Sequence, residues 1–305
     1  MKVLEYPFDS SLIIKKKRSI KRELLEQQTT FLEKKVAVLG GSTTHDVCQI
    51  LELFLLNYGI KATFYESEYA QYWEDVMFDN AELTAFAPDI IYIHTSNRNI
   101  RQYPQMGQSA NEVQQLTQAD YEHFRTMWEK IATTYHCPII QNNFEYPAYR
   151  LLGNKDATDI HGKVHYINEL NQLFARYANE HKDFYLHDLN YLSATYGLDQ
   201  WADPIYWHMY KYALSMEAIP TLAFSVANMI KSLYGKNKKA LVLDLDNTLW
   251  GGIVGDDGVE GLEIGPETSM GQVYSEFQEY VKEQKSIGTI LNICSKNDYE
   301  NAIAG

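Results

Sequence analysis

Short apolar runs alternate with stretches of helical spacing along most of this chain. Val36 to Leu39, Lys61 to Tyr65, Pro88 to His94, Cys137 to Gln141 and Phe184 to Asp188 read as strands bounded by Gly, Pro or polar turns. Apolar positions 47, 50, 51, 54 and 55 share one helical face in a segment that Gly59 ends. Further helices are predicted over 69–80, 111–134 and 160–181. The turn Gly40-Gly41-Ser42 leads from the first strand into the first helix, with Ser42 or Thr44 available to cap it. Strands alternating with helices predict an α/β domain with a doubly wound, mostly parallel sheet.

This pattern divides the chain into three stretches. Over 1–34, Leu12, Ile13, Ile20, Leu24 and Leu25 form the apolar side of an N-terminal helical extension. Its solvated side carries Lys15, Lys16, Lys17, Arg18, Lys21 and Arg22, a patch that could also contact an acidic partner. The sheet domain occupies 35–232, and residues 231–239 form the connection to a second unit over 238–305. That unit opens on a strand at 240–245. Glycines at 251, 252, 255, 258, 261 and 265 then predict a hairpin flap, roughly 252–268, over the strand end. An amphipathic helix over 269–286 and a strand over 288–294 follow.

Composition narrows the function classes. With 305 residues, 45% hydrophobic and 22% charged, the chain has the make-up of a globular protein of about two domains. Net charge is −13; residues 1–35 hold nine Lys/Arg against five Asp/Glu, which leaves −17 for the rest. A body this acidic suits neither nucleic-acid backbones nor, at long range, acidic partners. No apolar run is long enough for a membrane span, and no secretory signal pattern opens the chain. Cys48, Cys137 and Cys294 are scattered, odd in number and without zinc spacing, which predicts reduced thiols in the cytoplasm. His45, His161, His165 and His187 show no ligand spacing.

The chemistry concentrates after Ala240. Four apolar residues run into Asp244-Leu245-Asp246-Asn247-Thr248, which places two carboxylates at the carboxyl end of a buried strand, where open α/β sheets hold their sites. Two carboxylates there are costly to leave unpaired, and Mg²⁺ with phosphate oxygens and waters would offset the cost. An Asp can also attack phosphorus and form an aspartyl-phosphate. The cluster therefore reads as a phosphoryl-transfer site.

Asp244 to Thr248 resembles motif I of the haloacid dehalogenase-like (HAD) superfamily, and the string from Leu243 to Gly258 resembles its FkbH-like branch. The resemblance implies that Asp244 is the nucleophile and first Mg²⁺ ligand. It also implies that Asp246 is the general acid/base and lends its backbone carbonyl to the metal. Asn247 and Thr248 would orient Asp244. Ser295 closes the next strand and resembles motif II, whose hydroxyl holds phosphoryl oxygens; Lys296 would add a phosphate contact. Read alone, Ser295 is instead a helix cap with Asp298 three residues on. The superfamily pattern also uses a later Lys and a later acidic pair, and Gly305 comes before either, so a fragment holding only the N-terminal part of a HAD-like domain is expected.

The FkbH-like branch carries an SGNH-like domain ahead of its HAD domain. Gly40-Gly41-Ser42 resembles the first SGNH block, with Gly41 where that block has Asp, and Asn97 would supply the block III Asn. The terminal Asp-x-x-His has its nearest counterpart in Asp203 and His208, two residues too far apart. The alternatives are a Ser42, His208, Asp203 triad and a degenerate domain that binds rather than cuts. The first expectation for function is thus Mg²⁺-dependent phosphoryl transfer on a phosphorylated small molecule. By the resemblance, it would load a glyceryl-type unit onto an acyl carrier protein. Its rivals are a Ser42 esterase or acyltransferase, and a non-catalytic module that docks the carrier.

Overall fold

The computed structural model describes residues 1–28 and 30–305. Thr29, within the predicted N-terminal extension, lies outside the described residues. The chain divides into two compact units, Met1–Gly235 and Lys236–Gly305.

The first unit runs α1 (Ser10–Gln27), β1 (Leu32–Gly40), α2 (His45–Asn57), β2 (Ile60–Glu66), α3 (Tyr72–Met77), α4 (Ala81–Phe86), β3 (Ile90–His94) and α5 (Ala110–Tyr135). It continues with β4 (Ile139–Asn142), α6 (Lys163–Glu180), β5 (Phe184–His187), α7 (Leu189–Tyr196), α8 (Leu198–Trp201), α9 (Pro204–Tyr210) and α10 (Ile219–Leu233). The five strands form one parallel sheet in the order β2-β1-β3-β4-β5.

Period-2 alternation explains why both faces are dry. Val36 and Val38, Ile90 and Tyr92, and Ile140 point into a core with α1, α2 and α10. Ala37 and Leu39, Ile91 and Ile93, and Ile139 point the other way, into a core with Trp128 of α5 and Phe174 of α6. Trp128 is fully buried, and its indole N–H donates to Gln141 Oε1 at 2.9 Å. The predicted doubly wound sheet is therefore observed.

Local chemistry moved several boundaries. The helix predicted over 69–80 splits because Asp79 takes a left-handed φ of 54°. Asn80 Oδ1 then accepts the amides of Glu82 and Leu83 and starts α4. Thr44 stands at the N-cap of α2 but makes no side-chain cap bond; its hydroxyl faces Glu66 instead, at 3.5 Å. The N-terminal helix packs into the first unit through Ile13, Ile20 and Leu24, while Leu25 is exposed. Two of its basic residues pair with α2, Lys17 with Asp46 at 2.7 Å and Lys21 with Glu52 at 2.6 Å.

The second unit runs β6 (Ala240–Leu243), α11 (Val254–Asp257), α12 (Ser269–Ser286), β7 (Ile290–Ile293) and α13 (Tyr299–Ala304). β6 and β7 are parallel neighbours, in register from Ala240 with Ile290 to Leu243 with Ile293. The predicted hairpin flap is not a strand pair. Asp257 Oδ2 accepts the Ile253 amide at 2.8 Å and winds 254–257 into a short helix, leaving a single antiparallel bridge between Gly251 and Glu263. Among the described residues no helix is long and apolar enough to cross a membrane.

Candidate active site

In the second unit, β6 delivers Asp244 to an exposed position at its carboxyl end. One of its carboxylate oxygens accepts the Leu245 amide at 2.8 Å. The chain then turns tightly, with the Leu249 amide bonded to the Leu245 carbonyl at 2.8 Å. Asn247 takes a left-handed φ of 53°, and its Oδ1 accepts the Gly252 amide at 3.1 Å, so this side chain shapes the turn. Thr248 joins through its backbone, donating to the Leu245 carbonyl at 3.1 Å.

Asp246 is the most heavily bonded group of the cluster. Its Oδ1 accepts the Val254 amide at 3.1 Å and the Trp250 indole N–H at 3.2 Å, and its Oδ2 accepts Asn297 Nδ2 at 2.8 Å. Partial burial alone would raise this carboxyl, but the Val254, Asn297 and Trp250 donors outweigh it and hold the group below its ordinary value.

Asn297 also donates to Ser295, from Nδ2 at 3.1 Å and from its backbone N at 3.2 Å. It thereby ties the residues after β7 to those after β6. Ser295 does not cap the last helix: Asp298 stands at that N-cap, and the Ser295 hydroxyl turns to Asn297. Lys296 is exposed. The sequence reading missed Asn297. Its signal was the position two residues after the strand-end Ser, which alone does not separate it from an ordinary turn residue.

Oxygen donors from Asp244 and the Asp246 carbonyl suit a hard cation such as Mg²⁺, which keeps several waters. Among the described residues no group of three or more His, Cys, Asp or Glu could hold a metal.

The first unit holds the other candidate set. Ser42 is 2% exposed and its hydroxyl has no hydrogen-bond partner among the described residues. The turn that carries it is tied on both sides: Asn99 Nδ2 donates to the Gly41 carbonyl at 2.9 Å, and the Thr43 amide donates to the Lys211 carbonyl at 2.9 Å. Of the two alternatives, the triad is not assembled. Asp203 caps α9 by accepting the Ile205 amide at 2.7 Å, and His208 is exposed on that helix. No ion pair or hydrogen bond links Ser42, Asp203 and His208 among the described residues. The four residues between Asp203 and His208 form the opening turn of α9, which makes the Asp a helix cap instead of a partner for the imidazole.

Asn97 does not reach the Ser42 turn either; its Nδ2 donates to the carbonyls of Glu145 and Tyr146, each at 3.4 Å. Asn99 takes the place beside Gly41. The polar centre of this unit lies at the carboxyl ends of β3, β4 and β5. Asn142 joins His94 Nδ1 at 3.1 Å to His187 Nδ1 at 2.8 Å. Burial holds both imidazoles neutral, depressed to about 4.

These two units define the class: a parallel-sheet α/β domain followed by a HAD-like α/β unit. The chain belongs to the family described as FkbH, N-terminal domain, whose profile matches residues 35–231. It is similar in structure to the N-terminal part of the protein BF1531 from Bacteroides fragilis, which contains a phosphatase domain and was solved complexed with Mg. That match has 26% identity and a TM-score of 0.83, covering 95% of this chain and 75% of that one. A GDSL-like lipase from Bacteroides thetaiotaomicron aligns at 13% identity and a TM-score of 0.39, over 72% of this chain and 99% of that one. TesA aligns at 13% identity and 0.42, over 65% and 98%. Scores this low carry no argument for a hydrolase. No curated protein matches the chain.

Proposed function

We propose that the second unit performs Mg²⁺-dependent phosphoryl transfer, with Asp244 as nucleophile. The observation that carries this reading is the Asn297 side chain, which bonds Asp246 at 2.8 Å and Ser295 at 3.1 Å and so gathers two strand ends around exposed Asp244. The Mg-bound phosphatase-containing relative supports it. Asp244 attacks phosphorus, the bond to the leaving oxygen breaks, and that oxygen takes a proton through Asp246. Water then attacks the phosphorus of the aspartyl-phosphate, the bond between phosphorus and the Asp244 oxygen breaks, phosphate is released, and Asp246 removes the proton of the attacking water. The donors around Asp246 favour its carboxylate form and hence the base half of this role. Ser295 holds phosphoryl oxygens, with Lys296 in reach of the outer charge. Bound by Asp244 and the Asp246 carbonyl, Mg²⁺ would neutralise phosphate charge.

The substrate is a phosphorylated small molecule. The FkbH-like resemblance extends this to a glyceryl-type unit passed from a phosphorylated donor to an acyl carrier protein. The test is Mg²⁺-dependent phosphate release from p-nitrophenyl phosphate and from glyceryl phosphates, with and without chelator. Release that needs both Mg²⁺ and Asp244 supports the reading. Release that survives Asp244→Asn, or none from any ester, overturns it.

A further inference from the structure

The first unit contains a cavity of about 460 Å³ with an unusual wall. Arg98 and Lys163 both line it, together with Tyr103, Tyr149, Trp207 and Glu145. The Arg98 guanidinium lies over the Trp207 ring, 4.4 Å from its centroid. The Lys163 ammonium lies between two rings, 5.0 Å from that of Tyr103 and 4.8 Å from that of Tyr149. Neither cation forms an ion pair among the described residues. In a chain of net charge −13, two cations held by rings and outside any close ion pair are a departure from the surrounding field, although the Arg98 charge is felt by Glu145 in the same wall.

Their placement has a cost as well. Lys163 is the first residue of α6, where the helix dipole disfavours a positive charge, and no acidic residue stands in that first turn. Glu145 is 3% exposed and accepts the Asn97 amide at 3.1 Å. Burial pushes its carboxyl up to about 7, against the opposing pull of backbone amides and of the Arg98 charge.

We propose that this cavity binds a small organic anion, a carboxylate or phosphate group on an apolar body. The acid group pairs with Arg98 and Lys163, and the body lies against Trp207, Tyr103 and Tyr149. Mixed apolar walls with a few convergent polar groups are the usual make-up of small-molecule sites. Neither Asp244 nor Ser295 takes part, so this binding holds or fails independently of the phosphoryl-transfer reading.

The experiment is calorimetric titration of the whole chain, without Mg²⁺, with 3-phenylpropionate, phenylphosphonate and the neutral 3-phenylpropan-1-ol. At least one anion is expected to bind with one-to-one stoichiometry, and about tenfold or more tighter than the alcohol. Whichever anion binds tighter identifies the carboxylate or the phosphate source. The paired substitution Arg98→Gln with Lys163→Met should weaken that anion by about tenfold or more and leave the alcohol unchanged. A second measurement needs no variant. On the unaltered chain, the tighter anion should slow modification of Arg98 by phenylglyoxal, read by peptide mass spectrometry. Anions that bind no better than the alcohol, or an Arg98 modification rate unmoved by them, would overturn the proposal.

Discussion

The two units solve the same problem, a parallel sheet in water, to different depths. In the first, five strands carry apolar side chains on both faces and helices cover both. In the second, two strands leave Val242, Ile290 and Ile293 exposed at 59%, 61% and 64%, and the described buried cluster is Leu245, Trp250 and Val254. The first unit holds its polar centre in a well-buried frame. In the second, the polar cluster is ordered by hydrogen bonds that Asp246 accepts, one of them from Asn297. Burial fixes geometry in one case and directional bonding in the other, so the two should respond to different perturbations.

The largest effect should fall on chemistry without touching stability. Asp244→Asn is expected to lower phosphate release by about a thousandfold or more. Its melting transition should stay in place, because the side chain is exposed. Trp128→Ala reverses that pattern. Removing this fully buried ring should destabilise the first unit by about 3–5 kcal/mol, read by denaturant unfolding, with phosphate release at low temperature retained.

Asn297→Ala sharpens the contrast within the second unit. Breaking the link between Asp246 and Ser295 should reduce phosphate release by about tenfold to a hundredfold. The Asp246 carboxyl should then rise, shifting the limb of the pH–rate profile that reports it toward higher pH. An unchanged rate and profile would leave Asn297 as a mere turn residue.

Acid should act mainly on the first unit. His94 and His187 are depressed from 6.5 to about 4 by burial, so the unfolded chain takes up their protons first, and stability is lost as pH falls from 6.5 through about 4. Glu145 is raised from 4.5 to about 7 by burial and acts oppositely: its contribution is fully present below 4.5 and is lost as pH rises through about 7. Glu145→Gln should therefore steepen the acid-side loss of melting temperature. The smallest effect belongs to Val273→Ala, at an exposed position in α12, which should change stability by no more than about 0.5 kcal/mol.

Strand positions and the winding of the first sheet were legible because short continuous apolar runs such as Val36–Leu39 and Ile90–Ile93 suit strands buried on both faces. The end of that unit was less so. Residues 189–210 form three short helices whose caps, Asp188 and Asp203, sit among mixed aromatic residues with no clean periodicity. Asp244 and Asp246 stood out in the sequence as candidates because two carboxylates after an apolar run are costly to leave unpaired. Asn297, Asn99 and Glu145 were not, since their importance comes from partners across the fold, such as the 48 positions separating Asn97 from Glu145.

The turn at Gly41 bears on how this chain could change over generations. A Cβ on Gly41 would collide with the Asn99 side-chain amide. A side chain at position 41 therefore has no room until Asn99 shrinks or moves. Asn99 also accepts the Ser96 amide at 3.0 Å, so a change there disturbs the loop that holds it. Substitutions at positions 41 and 99 should therefore not add: a side chain at 41 is tolerated only together with a smaller residue at 99.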